Sequence, residues 1–404
     1  MPRARPASPR RAALAAVAIG LAPLVGGSAL AAAAAGQSRA HQAPALVFEG
    51  RGFGHGVGMS QYGARGQALQ GADHAQILAH YYPGTELVTT PPRRVRVLLE
   101  EAAPGAALIS GRPLRAVGRA GRAGRVVPVA ARAVHRLRPL PGGRVALERA
   151  GRRLAVFTGP VRVEPRRGAA AVAWGPQRPE RERRYRGALR MAPAAGGLRV
   201  VNIVGLEDYV RAVVPEEMPP SWGDDAPAAL RAQAIAARGY ALATRRTGGD
   251  FDQYADTRSQ VYGGIDAEDL RATRAVVDTR GQVLSFEGRI ATTFFHSTSG
   301  GRTEASTNAW PGGEPLPYLV SVDDPADAIS PLHTWTRRFT PARLGALLRA
   351  GGPVTGIDVL RRGDSPRVLR ARVRVAGGGA LELTGLEIKA RLGLPDTWFT
   401  VRAG

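Results

Sequence analysis

The sequence predicts an α+β protein of mixed helix and sheet, and two observations carry that reading. Residues 93–195 hold short alternating segments (RVRVLLE, GRRLAVF, VRVEP, AVAWG) separated by Gly, Pro and Arg turns, the pattern of a β-rich domain. Residues 201–246 change period, to strand, short helix, proline-rich turn and long helix. There Leu206, Tyr209, Val210 and Val213 fall at i, i+3, i+4 and i+7, an apolar helical stripe.

Within that second stretch the spacing predicts that Pro215 ends the first helix, because its ring and missing N–H interrupt the ladder. A second helix should restart after Asp225 as N-cap, with Pro227 in its first turn and Leu230, Ala234, Ala237 and Ala241 along one face. Between them PEEMPPSW reads as a stiff turn carrying two adjacent carboxylates, Glu216 and Glu217. Neighbours on an extended turn face opposite ways, so Glu217 is expected to point inward at the floor of a groove beside Met218 and Trp222, with Glu216 outward. Desolvation should then raise its pKa against a weak pull from the next helix's N-terminus.

At the start of the chain, Arg3, Arg5, Arg10 and Arg11 precede an alanine-rich apolar run from Ala12 to Ala35 broken by Gly20, Pro23 and Gly26–Gly27. Residues 1–36 therefore read as an export signal with A-x-A cleavage sites, implying a secreted or cell-envelope location. The run is also long enough to span a bilayer, so an uncleaved anchor stays open. There is no cysteine, and Lys389 is the only lysine, so the net charge of +23 is nearly all arginine. The arginines are scattered without a nucleic-acid fold signature, which argues against nucleic acid. Anionic wall polymers or a membrane surface are the expected partners of such a charge.

Residues 45–92 form a glycine-rich segment. Gly50, Gly52, Gly54, Gly56 and Gly58 alternate, and an extended chain would place them all on one face, open to a ligand or another backbone. The third glycine is out of register for a dinucleotide fingerprint, and no Gly-Lys-Ser/Thr follows for a phosphate loop. GMSQY is not a nucleophile elbow and reads as strand-to-turn. Seven histidines without HExxH or HxxxH spacing and no cysteine argue against zinc, so neither metal nor cofactor is expected. His135, in an Arg/Gly/Pro-rich stretch read as a loose hairpin, is expected at the surface. His55 and His296 are each more readily hydrogen-bonded structural residues than bases.

The run LEDYV…VVPEEMP…W…ALRAQAIAARGYAL resembles the core signature of the SpoIID/LytB family, bacterial proteins that act on peptidoglycan. GHGVGMSQYGA resembles that family's second hallmark, and DTRSQVYGG, FHSTSGGRTE and WPGGEPLPYLVSVDDPAD extend the likeness over residues 47–90 and 195–402. The resemblance implies an open substrate groove in a catalytic core over 196–404, with 93–195 as an inserted domain. In the family the glutamate before Met-Pro is the proposed acid/base of a lytic transglycosylase, which maps onto Glu217. Candidate groove contacts on the matching motifs are His55, Ser60, Gln61, Gln233, Arg238, Gln260, Tyr262, His296, Ser297 and Ser299. The hydroxyl-rich turn 297–301 suits sugar hydroxyls, though an ordinary ST-turn has the same composition. Asp256 and Glu304 are the remaining acids that could assist.

In the family the glycine motif usually follows the segment that LEIKARLGLPDTWFTVRAG resembles, so the order here looks circularly permuted. That order implies that Phe399–Val401 lies beside Val47–Gly50. Two functions stay open: a lytic transglycosylase cleaving MurNAc–GlcNAc strands with a single glutamate, or a non-catalytic peptidoglycan-binding enhancer of a cell-wall amidase.

Overall fold

The computed structural model describes residues 44–166, 172–175 and 183–404, so residues 1–36, read above as an export signal, lie outside the described residues. Helices and strands are mixed, as an α+β fold requires, and the chain divides into two compact units. One comprises residues 71–77 and 84–293; the other, within the described chain, comprises 44–70, 78–83 and 294–404. Among the described residues no helix is long and apolar enough to cross a membrane.

The first unit is built on a twelve-stranded sheet. Buried Val95, Val97 and Leu98 on Arg94–Ala103 seat that strand against Gly197–Gly205, in the antiparallel register Val201↔Leu98 and Val204↔Val95. Strands from the 93–195 stretch hydrogen-bond onward from there. Gly197–Gly205 pairs with Ala188–Ala194, which pairs with Arg152–Pro165, and the last also carries the Leu114–Ala120 strand. The segment expected as a loose hairpin is regular, Leu114–Ala120 pairing residue by residue with Ala123–Val129. His135 is not a surface residue. It is 1 % exposed on the next strand, where alternation turns it inward with Leu137.

The helical stripe is buried as spaced, Leu206, Tyr209, Val210 and Val213 facing inward on the Leu206–Glu217 helix. Pro215 does not stop that helix. Sitting in the last turn, it removes one donor only, and the helix closes when the Met218 N–H donates to the Val214 carbonyl, 2.9 Å. Glu216 and Glu217 are therefore the last two helical residues and not a free turn. The following helix, Pro227–Ala243, has Ala226 as its N-cap with no side-chain cap; Asp225 is one residue too early. Alanines and Gly239 let it bury almost all round, a Cβ at Gly239 falling 2.7 Å from Thr293 Oγ1. The turn at Glu287–Gly288, both at positive φ, joins Gln282–Phe286 to Arg289–Ile290, as the sequence suggests.

In the second unit Leu46–Arg51 is the central strand, flanked antiparallel by Thr334–Phe339 and by Trp398–Ala403. Phe48 pairs with Val401 and Gly50 with Phe399, so the two segments expected to meet do so. Phe48 also packs against the rings of Phe339 and Phe399, each 5.4 Å away. Thr384 caps the Gly385–Leu392 helix through a full capping box with Glu387.

The alternating glycines do not form an extended, ligand-facing strand. After Arg51 the chain turns at Gly52, Gly54, Gly56 and Gly58, all at positive φ between 70° and 128°. Each is enclosed by protein. A Cβ would lie 2.4 Å from the Arg367 guanidinium at Gly56 and 2.1 Å from the Phe294 carbonyl oxygen at Gly58. Positive φ alone costs an L-residue about 1–2 kcal/mol. Gly58→Ala should therefore lower stability by at least about 2 kcal/mol, the backbone contact adding to that strain. Thermal unfolding measures it, and an unchanged midpoint would show that the loop relaxes freely.

Candidate functional site

The candidate site grows from three pieces of the first unit: a strand, the helix that directly follows it, and the loop at residues 260–262. Asn202, on the Gly197–Gly205 strand, anchors itself by donating its amide to the carbonyls of Arg186 (2.9 Å) and Ala188 (3.0 Å). Its free oxygen accepts from the Tyr262 hydroxyl at 2.7 Å. The Tyr262 ring stacks on Tyr209 at 5.2 Å and 26°, and the Tyr209 hydroxyl donates to Gln260 Oε1 at 3.1 Å. This clamp fixes the loop containing Gln260, Val261 and Tyr262 against the helix that ends in Glu217.

Glu217 receives the product of that clamp. The Val261 N–H donates to its Oε1 at 3.1 Å. As a residue Glu217 is only half-buried, yet its carboxyl is densely surrounded, the signature of a recess. Burial pushes its pKa up to about 7; the Val261 bond pulls the other way and the nearby Glu216 charge adds to the rise. Its place at a helix C-terminus disfavours the carboxylate further. The helix N-terminus expected to oppose the rise lies beyond the Pro220–Gly223 turn. Glu216 is exposed, while Met218 and Trp222 are buried.

Tyr240, only 8 % exposed, feels the same carboxylate. Burial first and Glu217 second raise its pKa to about 12, so it stays a neutral phenol near Glu217. Neither Tyr240 nor the Val261 N–H was evident from motif reading. The available signal was helical spacing, since Gln233 and Tyr240 are seven residues apart on one helix face.

The other candidate residues fall into two groups. Gln233 is fully buried on the Pro227–Ala243 helix, and Gln260 and Tyr262 belong to the Glu217 clamp. Arg238 is also fully buried, its guanidinium held by Glu207 at 3.0 and 2.9 Å and by the Gln282 carbonyl at 2.8 Å, so it braces helix and hairpin. Asp256 is paired with the neighbouring Arg258, whose hydrogen bonds keep its pKa low.

In the second unit the candidate polar atoms serve the fold. Ser60 ends the short Met59–Ser60 strand, and a helix and not a turn follows: Ser60 caps the Gln61–Leu69 helix by accepting from the Gly63 N–H, and it donates to Asp327 at 2.7 Å. Gln61 is buried at the start of that helix. Asp327 also accepts from the N–H groups of Ser299 (2.9 Å) and Gly300 (3.0 Å) and bonds His333. Ser299 Oγ accepts from the Gly301 N–H, and Ser297 Oγ meets Thr298 Oγ1 at 3.2 Å, an ST-type turn closed on itself. His55 accepts from the Val57 N–H and His296 Nδ1 bonds the Val57 carbonyl. Burial lowers both histidine pKa values, that of His55 to about 3. Glu304 is buried and accepts from Ala305, Asn308, Asp364 and Ser365.

Fold and site together define an α+β protein with a desolvated, protonatable carboxyl at the end of a helix. Residues 194–286, which contain that carboxyl and its clamp, match the family described as SpoIID, Stage II sporulation protein. Stage II sporulation protein D of Bacillus amyloliquefaciens is 33 % identical over 216 residues, 49 % of this chain and 60 % of that protein. The amidase enhancer of Bacillus subtilis (strain 168) is 36 % identical over 135 residues, 33 % of this chain and 17 % of that protein. An uncharacterized protein of Brachyspira hyodysenteriae is 36 % identical over 141 residues, 34 % of this chain and 37 % of it. The chain thus spans less than two thirds of the length of each of these relatives. No solved structure gives a significant match.

The raised pKa of Glu217 has a measurable consequence for stability. The native carboxyl holds its proton to about pH 7 whereas an unperturbed one releases it near 4.5, so stability falls as pH rises through that window. At about 1.4 kcal/mol per unit, the penalty above the window reaches up to about 3 kcal/mol. Glu217→Gln should match the wild type below pH 4.5 and exceed it above pH 7. Thermal midpoints across pH measure this, and a pH-independent difference would count against a raised pKa.

Proposed function

We propose that the chain is an exported, peptidoglycan-directed lytic transglycosylase in which Glu217 is the single acid/base. The observation that carries the reading is the desolvated carboxyl with a pKa of about 7. The Val261 N–H donates to Glu217 Oε1 and so orients the carboxyl that gives and takes the proton. Protonated Glu217 gives that proton to the glycosidic oxygen as the C1–O bond breaks. The resulting carboxylate then takes the proton of the muramic acid C6 hydroxyl, whose oxygen bonds C1 and leaves a 1,6-anhydro end. A second carboxylate is unnecessary on this route, whereas a hydrolase pairs two. Asp256 and Glu304, both held in internal bonds, are accordingly left outside the chemistry.

Exchange of the acid is the direct test. Glu217→Gln should lose about 10²–10⁴-fold in rate while still binding glycan, as removal of a general acid–base group does. Glu216→Gln, altering an exposed neighbour, should be far milder. Because the protonated form acts, the wild-type rate should fall as pH rises past about 7. Mass spectrometry of purified strands reads the product, a 1,6-anhydromuramyl end being the expected one. Full cleavage by Glu217→Gln would overturn the assignment.

A second reading is favoured by the likeness to an amidase enhancer. On it, the same residues bind glycan for a partner cell-wall amidase without turnover. Unchanged strands in the wild-type incubation, together with amidase stimulation that survives Glu217→Gln, would establish that reading in place of the first.

A further inference from the structure

A cavity of about 420 Å³ lies in the β-rich part of the first unit and does not include Glu217. Its walls are Leu114, Val127, Pro128 and Leu154, with His135 beside them and Arg149 and Arg166 completing the lining. The volume is at the small-ligand end of the usual range. Three features give its chemistry.

Both arginines are exposed, and neither guanidinium has a carboxylate partner among the described residues. Other arginines on these strands are neutralised, Arg115 and Arg162 by Glu164 and Arg138 by Glu148. Two unpaired guanidiniums on an otherwise apolar cavity fit an anion, and a planar carboxylate in particular.

His135 is almost wholly buried, and its Nδ1 bonds the Ala133 carbonyl at 3.0 Å. A carbonyl only accepts, so Nδ1 carries the proton and Nε2 is left as an acceptor. No hydrogen bond to Nε2 is present among the described residues. Burial, helped by Arg149, holds the ring below its ordinary pKa and hence neutral. A ligand that completes this site must donate, as a peptide N–H does and an acyl chain does not.

The Ala123–Val129 strand pairs only with Leu114–Ala120, so its outer edge has no strand partner among the described residues. Val127, Pro128 and Val129 on that edge line the cavity. An unpaired edge offers backbone groups to an extended chain, the mode by which many domains add a peptide strand. Pro128 withholds one donor, which limits the pairing to a short segment.

We propose that this cavity binds the carboxylate-terminated end of a short extended peptide with small apolar side chains. The peptide runs along the Ala123–Val129 edge and its carboxylate meets Arg149 and Arg166. The site is independent of the reading of Glu217.

Calorimetric titration of the whole protein with N-acetyl-trialanine, in both enantiomers, as free acid and as C-terminal amide, tests it, with decanoate as the acyl competitor. One free acid should bind, its amide about tenfold or more weaker, as expected for loss of a charge-assisted bond. The Arg149→Gln, Arg166→Gln double variant should lose the same factor, and both positions are exposed, so folding is preserved. Glu217→Gln should leave binding unchanged. Absence of heat with either free acid at millimolar concentration, equal affinity for acid and amide, an unaffected double variant, or tighter binding of decanoate would each overturn the proposal.

Discussion

The bond from Tyr262 to Asn202 is the constraint on which the Glu217 recess depends. A buried asparagine has four hydrogen-bonding positions to fill, and two of them are used by donating across the strand to Arg186 and Ala188. Only the tyrosine hydroxyl then satisfies the oxygen, 2.7 Å away. The pairing fixes Tyr262, the stack on Tyr209 fixes the helix, and the Tyr209 hydroxyl fixes Gln260. Val261, caught between Gln260 and Tyr262, has little freedom left. Its N–H is thereby aimed at Glu217 by residues that never touch the carboxyl. Breaking such a network leaves buried polar groups unpaired, which is why it specifies one arrangement and not several.

Arg238 performs a similar service with charge. Its guanidinium is fully buried, and a lone cation there would be strongly unfavourable. Two bonds to Glu207 and one to the Gln282 carbonyl satisfy it, tying the Leu206–Glu217 and Pro227–Ala243 helices to the Gln282–Phe286 strand. Arg367 repeats the device in the second unit, where Asp396 and the carbonyls of Ser299 and Arg302 surround it and Gly56 leaves room for it. Several of the motif residues thus hold backbone and helices in place, whatever else binds near them.

What could be read in the sequence follows from which physical signals are local. A helical stripe is local, so the inward face of 206–217 was legible. Alternation gave the β-rich character of 93–195 but not the inward turn of His135, because Arg and Gly neighbours mask a single buried polar residue. The glycine alternation misled for a related reason. Period two suits a strand, yet these glycines exist for positive φ, which spacing does not report. Pro215 was overrated because one lost donor in a final helical turn is tolerated when the next carbonyl is recovered. For the site, Glu217 was legible through its motif. Tyr240 and the Val261 N–H were not, since their roles come from packing between segments far apart in sequence.

The value near 7 for Glu217 is a balance, and each contribution has a structural owner. Burial raises it, the exposed Glu216 charge adds to the rise, and a single backbone donor restrains it. Additional donors to the carboxylate would favour its charged form and return the group toward an ordinary acid. Loss of the Val261 bond would raise it further. A group that must first give a proton and then take one back works best when neither form is greatly preferred at the working pH. The Val261 donor on a rigid loop and the carboxyl's burial at a helix C-terminus act in opposite directions on that preference. The rigidity that Asn202 confers on the loop is therefore also what sets the chemistry of Glu217.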